Sequence, residues 1–188
     1  YTGTDGCLNT TVSGNTIYES FNNSILVIGG KKCSVIGNSC VGGANAGIQL
    51  WHVLDCSVFG NTVFDCNKHD FNGIGNLADA YGNIVIDGAT NIGSGTYMAI
   101  LKGNSTAKCN QGRASAVYGI AIFPNDTSLA YPAASNKIIL DQNASDAATR
   151  IYNPNSITVT EVQESSGGGG NLGASATVTS TSGSSNLT

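Results

Sequence analysis

Short runs of β-branched and other small apolar residues alternate with Ser and Thr along the first half of the chain, and Gly-Asn interrupts them at a fixed interval. Val12-Ser13-Gly14-Asn15-Thr16-Ile17, Val35-Ile36-Gly37-Asn38-Ser39-Cys40 and Val58-Phe59-Gly60-Asn61-Thr62-Val63 are copies of one phrase, each 23 residues after the last. The spacing has no helical period. Val, Ile and Thr favour the pleated strand, while Gly and Asn accept the positive φ of tight turns. The pattern predicts strands joined by corners. A period in the low twenties predicts one supersecondary unit stacked on itself, because no single unit can bury its own apolar face.

Aligned on that period, further columns emerge. Thr10, Cys33 and Cys56 fall together, as do Ile17, Cys40 and Val63, and then Ile25, Ile48 and Phe71. Gly82-Asn83-Ile84, 22 residues after Gly60, reads as the fourth copy, and Gly103-Asn104-Ser105, 21 further on, as a weaker fifth. Stacked at the strand spacing of ~4.8 Å, Asn15, Asn38, Asn61 and Asn83 are expected to form a ladder of side-chain amides. Leucine-rich repeats share the period, but they need a leucine ladder and a helical segment that these units lack.

After residue 110 the rhythm loosens. Ala116–Phe123 and Lys137–Leu140 read as buried strands of a last, irregular turn, after which Arg150–Asn155 is expected to leave the coil. Alternation in Ile157, Val159 and Glu161 then suits a strand added to the edge of another chain. Ser165–Thr188 is a Gly, Ser and Thr tract that composition alone makes a linker. With so few large apolar residues, residues 157–188 are expected to be ordered by a partner copy. The expected organisation is a coil over residues 1–145 and an oligomerisation tail over 146–188. The abrupt start at Tyr1-Thr2-Gly3-Thr4 suits a coil that continues upstream.

Composition narrows the class. Charged residues are only 11% of the chain, hydrophobic residues 40%, and there are 25 Gly and 3 Pro, which excludes charge-driven disorder. No apolar stretch is long enough to insert in a membrane. A net charge of −4 gives no reason to expect a nucleic-acid partner, and Lys31-Lys32 is an isolated pair at a corner. Among the six cysteines no zinc spacing occurs, so neither metal nor cofactor is expected. Two readings of Cys33 and Cys56 stay open: stacked free thiols acting as small hydrophobes, or a disulfide between neighbouring turns. The Asn-X-Ser/Thr sequons at Asn9, Asn22, Asn104, Asn125 and Asn143 carry little weight in a chain so rich in these residues.

The Gly-Asn corners, the 23-residue turns, the Cys and Asn columns and the Ser/Thr/Gly-rich exit resemble, over roughly residues 7–145, the right-handed parallel β-helix of phage tailspike proteins and the pectate-lyase-like superfamily. The resemblance is one of fold. It implies an all-β, single-stranded right-handed parallel β-helix with a C-terminal trimerisation tail. It also implies a homotrimer at the virion tail that binds, and in many members cleaves, a bacterial surface polysaccharide. No catalytic motif of the family can be matched residue by residue, so activity rests on analogy.

The candidate chemistry therefore comes from the columns. Glu19, Gly42, Asp65 and Asp87 share one address, which predicts Asp65 and Asp87 about 5 Å apart on adjacent turns. That separation suits the acid/base and nucleophile of a retaining glycosidase; two solvated corner aspartates that cap local amides are the stronger alternative. Ile28, Trp51 and Ile74 form a column that alternation places outside the coil, where the only Trp serves either as a sugar platform or as a subunit contact. His52 and Asp55 complete the candidate substrate-binding set with Trp51. His69-Asp70 is not a dyad if both lie in one strand, because neighbouring strand residues face opposite ways. The expected function is a tailspike-like recognition or depolymerisation of a bacterial glycan, as a glycoside hydrolase or polysaccharide lyase if an enzyme. The alternatives are a monomeric secreted polysaccharide lyase or hydrolase and a non-catalytic adhesin-like coil.

Overall fold

The structure is a computed structural model that describes residues 7–51, 53, 55–66, 82–87, 97–107, 118–123, 136–147, 151–152, 159–163 and 176–180. Every regular element among the described residues is a strand. The first coil of the chain comprises β1 (Thr11–Ser13), β2 (Thr16–Tyr18) and β3 (Ile25–Ile28). The second comprises β4 (Ser34–Ile36), β5 (Ser39–Val41) and β6 (Ile48–Trp51), and the third β7 (Cys56–Phe59), β8 (Thr62–Phe64) and β9 (Gly82–Asp87). The fourth is built from β10 (Tyr97–Lys102), β11 (Ser105–Ala107) and β12 (Tyr118–Phe123), and the fifth from β13 (Asn136–Asp141), β14 (Ala144–Ser145) and β15 (Ile151–Tyr152). Then β16 (Val159–Gln163) opens another coil, and β17 (Ala176–Ser180) turns back along it.

Each coil gives one strand to each of three sheets. Sheet 1 has the order β1-β4-β7-β10-β13-β16-β17, sheet 2 the order β2-β5-β8-β11-β14, and sheet 3 the order β3-β6-β9-β12-β15. Among the described residues all pairs between coils are parallel, and β16–β17 alone is antiparallel. The chain is thus an all-β stack of parallel coils, an arrangement compatible with a parallel β-helix.

Inward positions form columns whose members repeat in type because they occupy the same place in successive coils. Val12, Val35, Val58, Leu101 and Leu140 are register partners along sheet 1, and Ile25, Ile48, Ile84, Ile120 and Ile151 along sheet 3. From the second coil onward nearly all of these are closed to solvent. They form one continuous apolar core with Cys33, Cys40, Cys56, Val63 and Cys66.

The corners explain the punctuation. Between sheets 1 and 2 the backbone is left-handed at Gly14, Gly37, Gly60 and Gly103, with φ between 59° and 67°, and Gln142 takes φ 52° at the same place in the fifth coil. The Asn that follows points inward. The Asn38 amide and Nδ2 both donate to the Asn61 Oδ1, at 2.9 and 3.0 Å, while Nδ2 also donates to the Val12 carbonyl at 2.9 Å. Asn15, Asn61 and Asn104 make the same paired donation to the next rung.

The ladder differs from its expected course at the third rung. Asn61 is followed by Asn104, 43 residues on, and then by Asn143 after another 39. Gly82-Asn83 is instead the start of β9 in sheet 3, where Ile84 pairs with Ile48 and fills the slot expected for Phe71; Phe71 lies outside the described residues. The physical reason is length. Residues 65–81 separate β8 from β9, whereas 42–47 suffice between β5 and β6, so a constant period miscounts from this point. Asn104 and Asn143, buried in the ladder, are not accessible sequons in the fold.

The exit also differs. Ile151 pairs with Ile120 in sheet 3, and β16 pairs in parallel with β13, with Leu140 opposite Glu161. The coil therefore runs beyond residue 145, and the alternating segment lies along its own chain. Val159 and Glu161 both turn inward and are buried, and β17 covers the open edge of β16.

Candidate functional site

Sheet 3 departs from the simple rule of apolar inside and polar outside. In β3 the inward Ile25 and Val27 are buried while Leu26 and Ile28 are exposed. Further along, the register partners of Leu26 close off: Gln49 is 9% exposed, and Val85 and Ala121 are fully buried. Ala46, Val85 and Ala121 form a second small apolar cluster with Tyr118 packed against it. Between β1 and β16 the longest connections, 65–81, 88–96, 108–117 and 124–135, all begin or end at strands of this sheet. Elaboration of the coil is concentrated here.

Polar groups gather at the same edge. The Asn23 Nδ2 donates to the Gln49 Oε1 at 2.7 Å, and the Asn45 Nδ2 donates to the Asn22 Oδ1 at 3.2 Å. Ser20 and Ser24 share a hydrogen bond of 2.9 Å at the adjoining corner. The exposed rings of Tyr18 and Phe21, 69% and 80% accessible, precede this amide group in the chain.

The backbone registers keep Ile28 and Trp51 in the column where the sequence put them and add Asp87, which the sequence assigned to another column. Ile28 pairs with Trp51, Trp51 with Asp87, and Asp87 with Phe123. An aromatic residue, an acid and an aromatic residue thus occupy one column on three successive coils, at steps of ~4.8 Å. Ile74, expected in this column, lies outside the described residues, and Asp87 holds the position.

The same registers separate Asp65 from Asp87. Asp65 follows β8 at the corner leaving sheet 2, and its amide donates to the Ala107 carbonyl at 3.0 Å; Asp87 ends β9 in sheet 3. They sit on the same coil in different sheets, so the expected stack on adjacent coils is corrected. Glu19, Gly42 and Asp65 do share a column, and all three have left-handed φ, 48°, 75° and 53°. Asp55 likewise joins Asn9 and Lys32 in a left-handed corner before sheet 1, with φ 53°, 52° and 55°. Polar residues tolerate this conformation better than β-branched ones, which gives these acids a conformational reason for their places. His52, His69 and Asp70 lie outside the described residues.

Among the described residues, no group of three or more His, Cys, Asp or Glu side chains could hold a metal ion. Desolvation pushes the Cys40 thiol up to about 12 and the Cys56 thiol up to about 12, and raises Cys66 as well. No described helix is long and apolar enough to cross a membrane.

Sequence reasoning missed the Trp51–Asp87–Phe123 column because it spans the insertion at 65–81. A signal was present: Ile48-Gln49-Leu50-Trp51, Ile84-Val85-Ile86-Asp87 and Ile120-Ala121-Ile122-Phe123 share the pattern of an aliphatic residue at the first and third places. Comparison with protein-family models, curated proteins and solved structures finds no match to this chain.

Proposed function

We propose that this protein is a tailspike-like coil that recognises a bacterial surface polysaccharide, with sheet 3 as the recognition face. The observation that carries the reading is the column Trp51, Asp87 and Phe123 across three coils. Sugar rings present apolar C–H faces that stack on aromatic residues, while their hydroxyls donate to a carboxylate. A repeating glycan laid along the coil axis meets both chemistries at strand spacing. The amides of Asn22, Asn23 and Asn45 at the same edge suit neutral hydroxyls, which need donors and acceptors rather than charge.

In this reading the coil is right-handed, as nearly all crossovers between parallel strands of one sheet are, and three copies associate at the tail of a virion. The outward side of sheet 1 supports the association: Ile36 is exposed, and Phe59, Ile100, Ile139 and Val162 are half-buried. Cleavage is a separate matter. Among the described residues, Asp87 is the one acid in the strands of sheet 3, and retaining hydrolysis needs a second carboxylate ~5 Å away. Recognition is the activity that the column itself supports.

Sedimentation equilibrium and a reducing-end assay on bacterial polysaccharides test the proposal together. A trimer mass with glycan bound and no reducing ends released is the expected result. A monomer that releases reducing ends would replace the reading with the secreted enzyme. A protein that binds no glycan would leave the adhesin-like coil.

A further inference from the structure

We propose that Cys7 and Cys33 are a disulfide-forming pair that fastens the first coil to the second. The corner between sheets 3 and 1 carries a small cluster of thiols, with Cys7 exposed and Cys33 and Cys56 buried behind it. The Cys7 and Cys33 Sγ atoms lie 3.4 Å apart, and the Cys33 thiol also faces the Cys7 carbonyl at 3.1 Å. Forming the S–S bond requires a closure of about 1.4 Å from that separation. The backbone is already aligned for it. Leu8 bridges Lys31 in parallel, the Lys31 amide donates to the Cys7 carbonyl at 2.9 Å, and the Asn9 amide donates to the Lys31 carbonyl at 3.0 Å.

Gly30 makes the room. A Cβ there would stand 3.2 Å from the Cys33 Sγ, 3.4 Å from the Cys7 Sγ and 2.6 Å from the Val27 Cγ1. A side chain at this position would collide with Val27 and crowd the Cys33 thiol, so its absence is part of the site. Cys56 is a weaker competitor for Cys33: its Sγ accepts from the Cys33 amide at 3.4 Å and faces the Gly30 carbonyl at 3.7 Å, and burial denies it an oxidant.

The oxidant is a low-molecular-weight disulfide such as oxidised glutathione. The Cys7 thiolate attacks one of its sulfurs, forming a mixed disulfide and expelling one thiolate, which takes up the proton that Cys7 lost. Cys33 then attacks the Cys7 sulfur, forming the intrachain bond and expelling the second small thiolate, which takes up the proton from Cys33. One S–S bond is broken and one is formed; the two protein thiols are oxidised and the small disulfide is reduced to two thiols.

The test is equilibration of the intact chain in glutathione buffers of increasing oxidised fraction, followed by intact mass, peptide mapping without reduction and thermal melting. The expected product has lost the mass of two hydrogens, maps to a Cys7–Cys33 link and melts higher than the reduced chain. Cys7→Ser, an exposed substitution, should fold, show no link and lose the oxidative rise in melting. A chain that keeps all its thiols in the most oxidising buffer would overturn the proposal. So would a Cys33–Cys56 link or a dimer joined through Cys7.

Discussion

Asn61 bonds directly to Asn104, a residue 43 positions further along the chain: its backbone amide and its Nδ2 both donate to the Asn104 Oδ1, at 3.0 and 2.9 Å. The intervening segment contains the third strand of sheet 3 and the long connections on either side of it. The inner amide column is thus indifferent to how much chain is inserted outside it. Function can be elaborated on sheet 3 while the corner between sheets 1 and 2 keeps the coils in register.

That corner should be costly to break. Asn61 accepts twice from Asn38 and donates to the Val35 carbonyl as well as to Asn104. Asn61→Ala leaves several buried partners unsatisfied, so a loss of about 3 kcal/mol is expected in urea unfolding. A loss below about 0.5 kcal/mol, the range of ordinary surface substitutions, would mean that the ladder does not hold the coils.

Two glycines should respond differently to alanine. At Gly60 a Cβ meets nothing within 4 Å and the only penalty is the left-handed φ of 59°, so Gly60→Ala should cost about 1 kcal/mol. At Gly47 a Cβ would collide with the Val63 Cγ1 and crowd the Cys66 Sγ at 3.1 Å. Gly47→Ala should cost at least about 3 kcal/mol through overpacking. Chemical denaturation of both variants checks the order, and equal costs would contradict the packing at this corner.

Alkaline pH should weaken the fold through the buried thiols. Cys40 and Cys56 rise from 9.0 to about 12 on burial, so the fold favours the protonated form over the unfolded chain. This contribution is complete below pH 9 and is lost as the pH rises from about 9 towards about 12. Melting temperature should fall across that window, and the fall should be shallower when both residues are alanine. Parallel curves for the two proteins would rule out the thiols as its source.

The sequence disclosed the coil wherever the period was undisturbed. The partners Val12–Val35–Val58, Ile17–Cys40–Val63 and Ser34–Ser57 lie where the 23-residue spacing put them. Beyond Phe64 the spacing no longer tracks the structure, because connection length at the surface is free to vary while strand pairing is not. Asn83 matched the Gly-Asn phrase, yet its neighbours Ile84 and Ile86 are inward residues of sheet 3. Asp65 and Asp87 consequently shared a column in the sequence that the registers divide between two sheets. The segment at Val159–Gln163 was legible as a strand from its alternation, but its partner was not: the edge of another chain was expected, whereas β16 pairs with β13 of its own chain.

The most direct test of the glycan reading is equilibrium binding of the intact chain to surface polysaccharides purified from a panel of bacteria, compared with Trp51→Ala and Asp87→Asn. Stacking on an aromatic residue contributes about 0.5–1.5 kcal/mol beyond buried area, and loss of the whole indole should weaken binding at least about tenfold, which corresponds to ~1.4 kcal/mol. The account predicts saturable binding to at least one polysaccharide, reduced by both substitutions in proteins that keep their melting temperature. Binding to none of the panel, or binding that both substitutions leave unchanged, would contradict it.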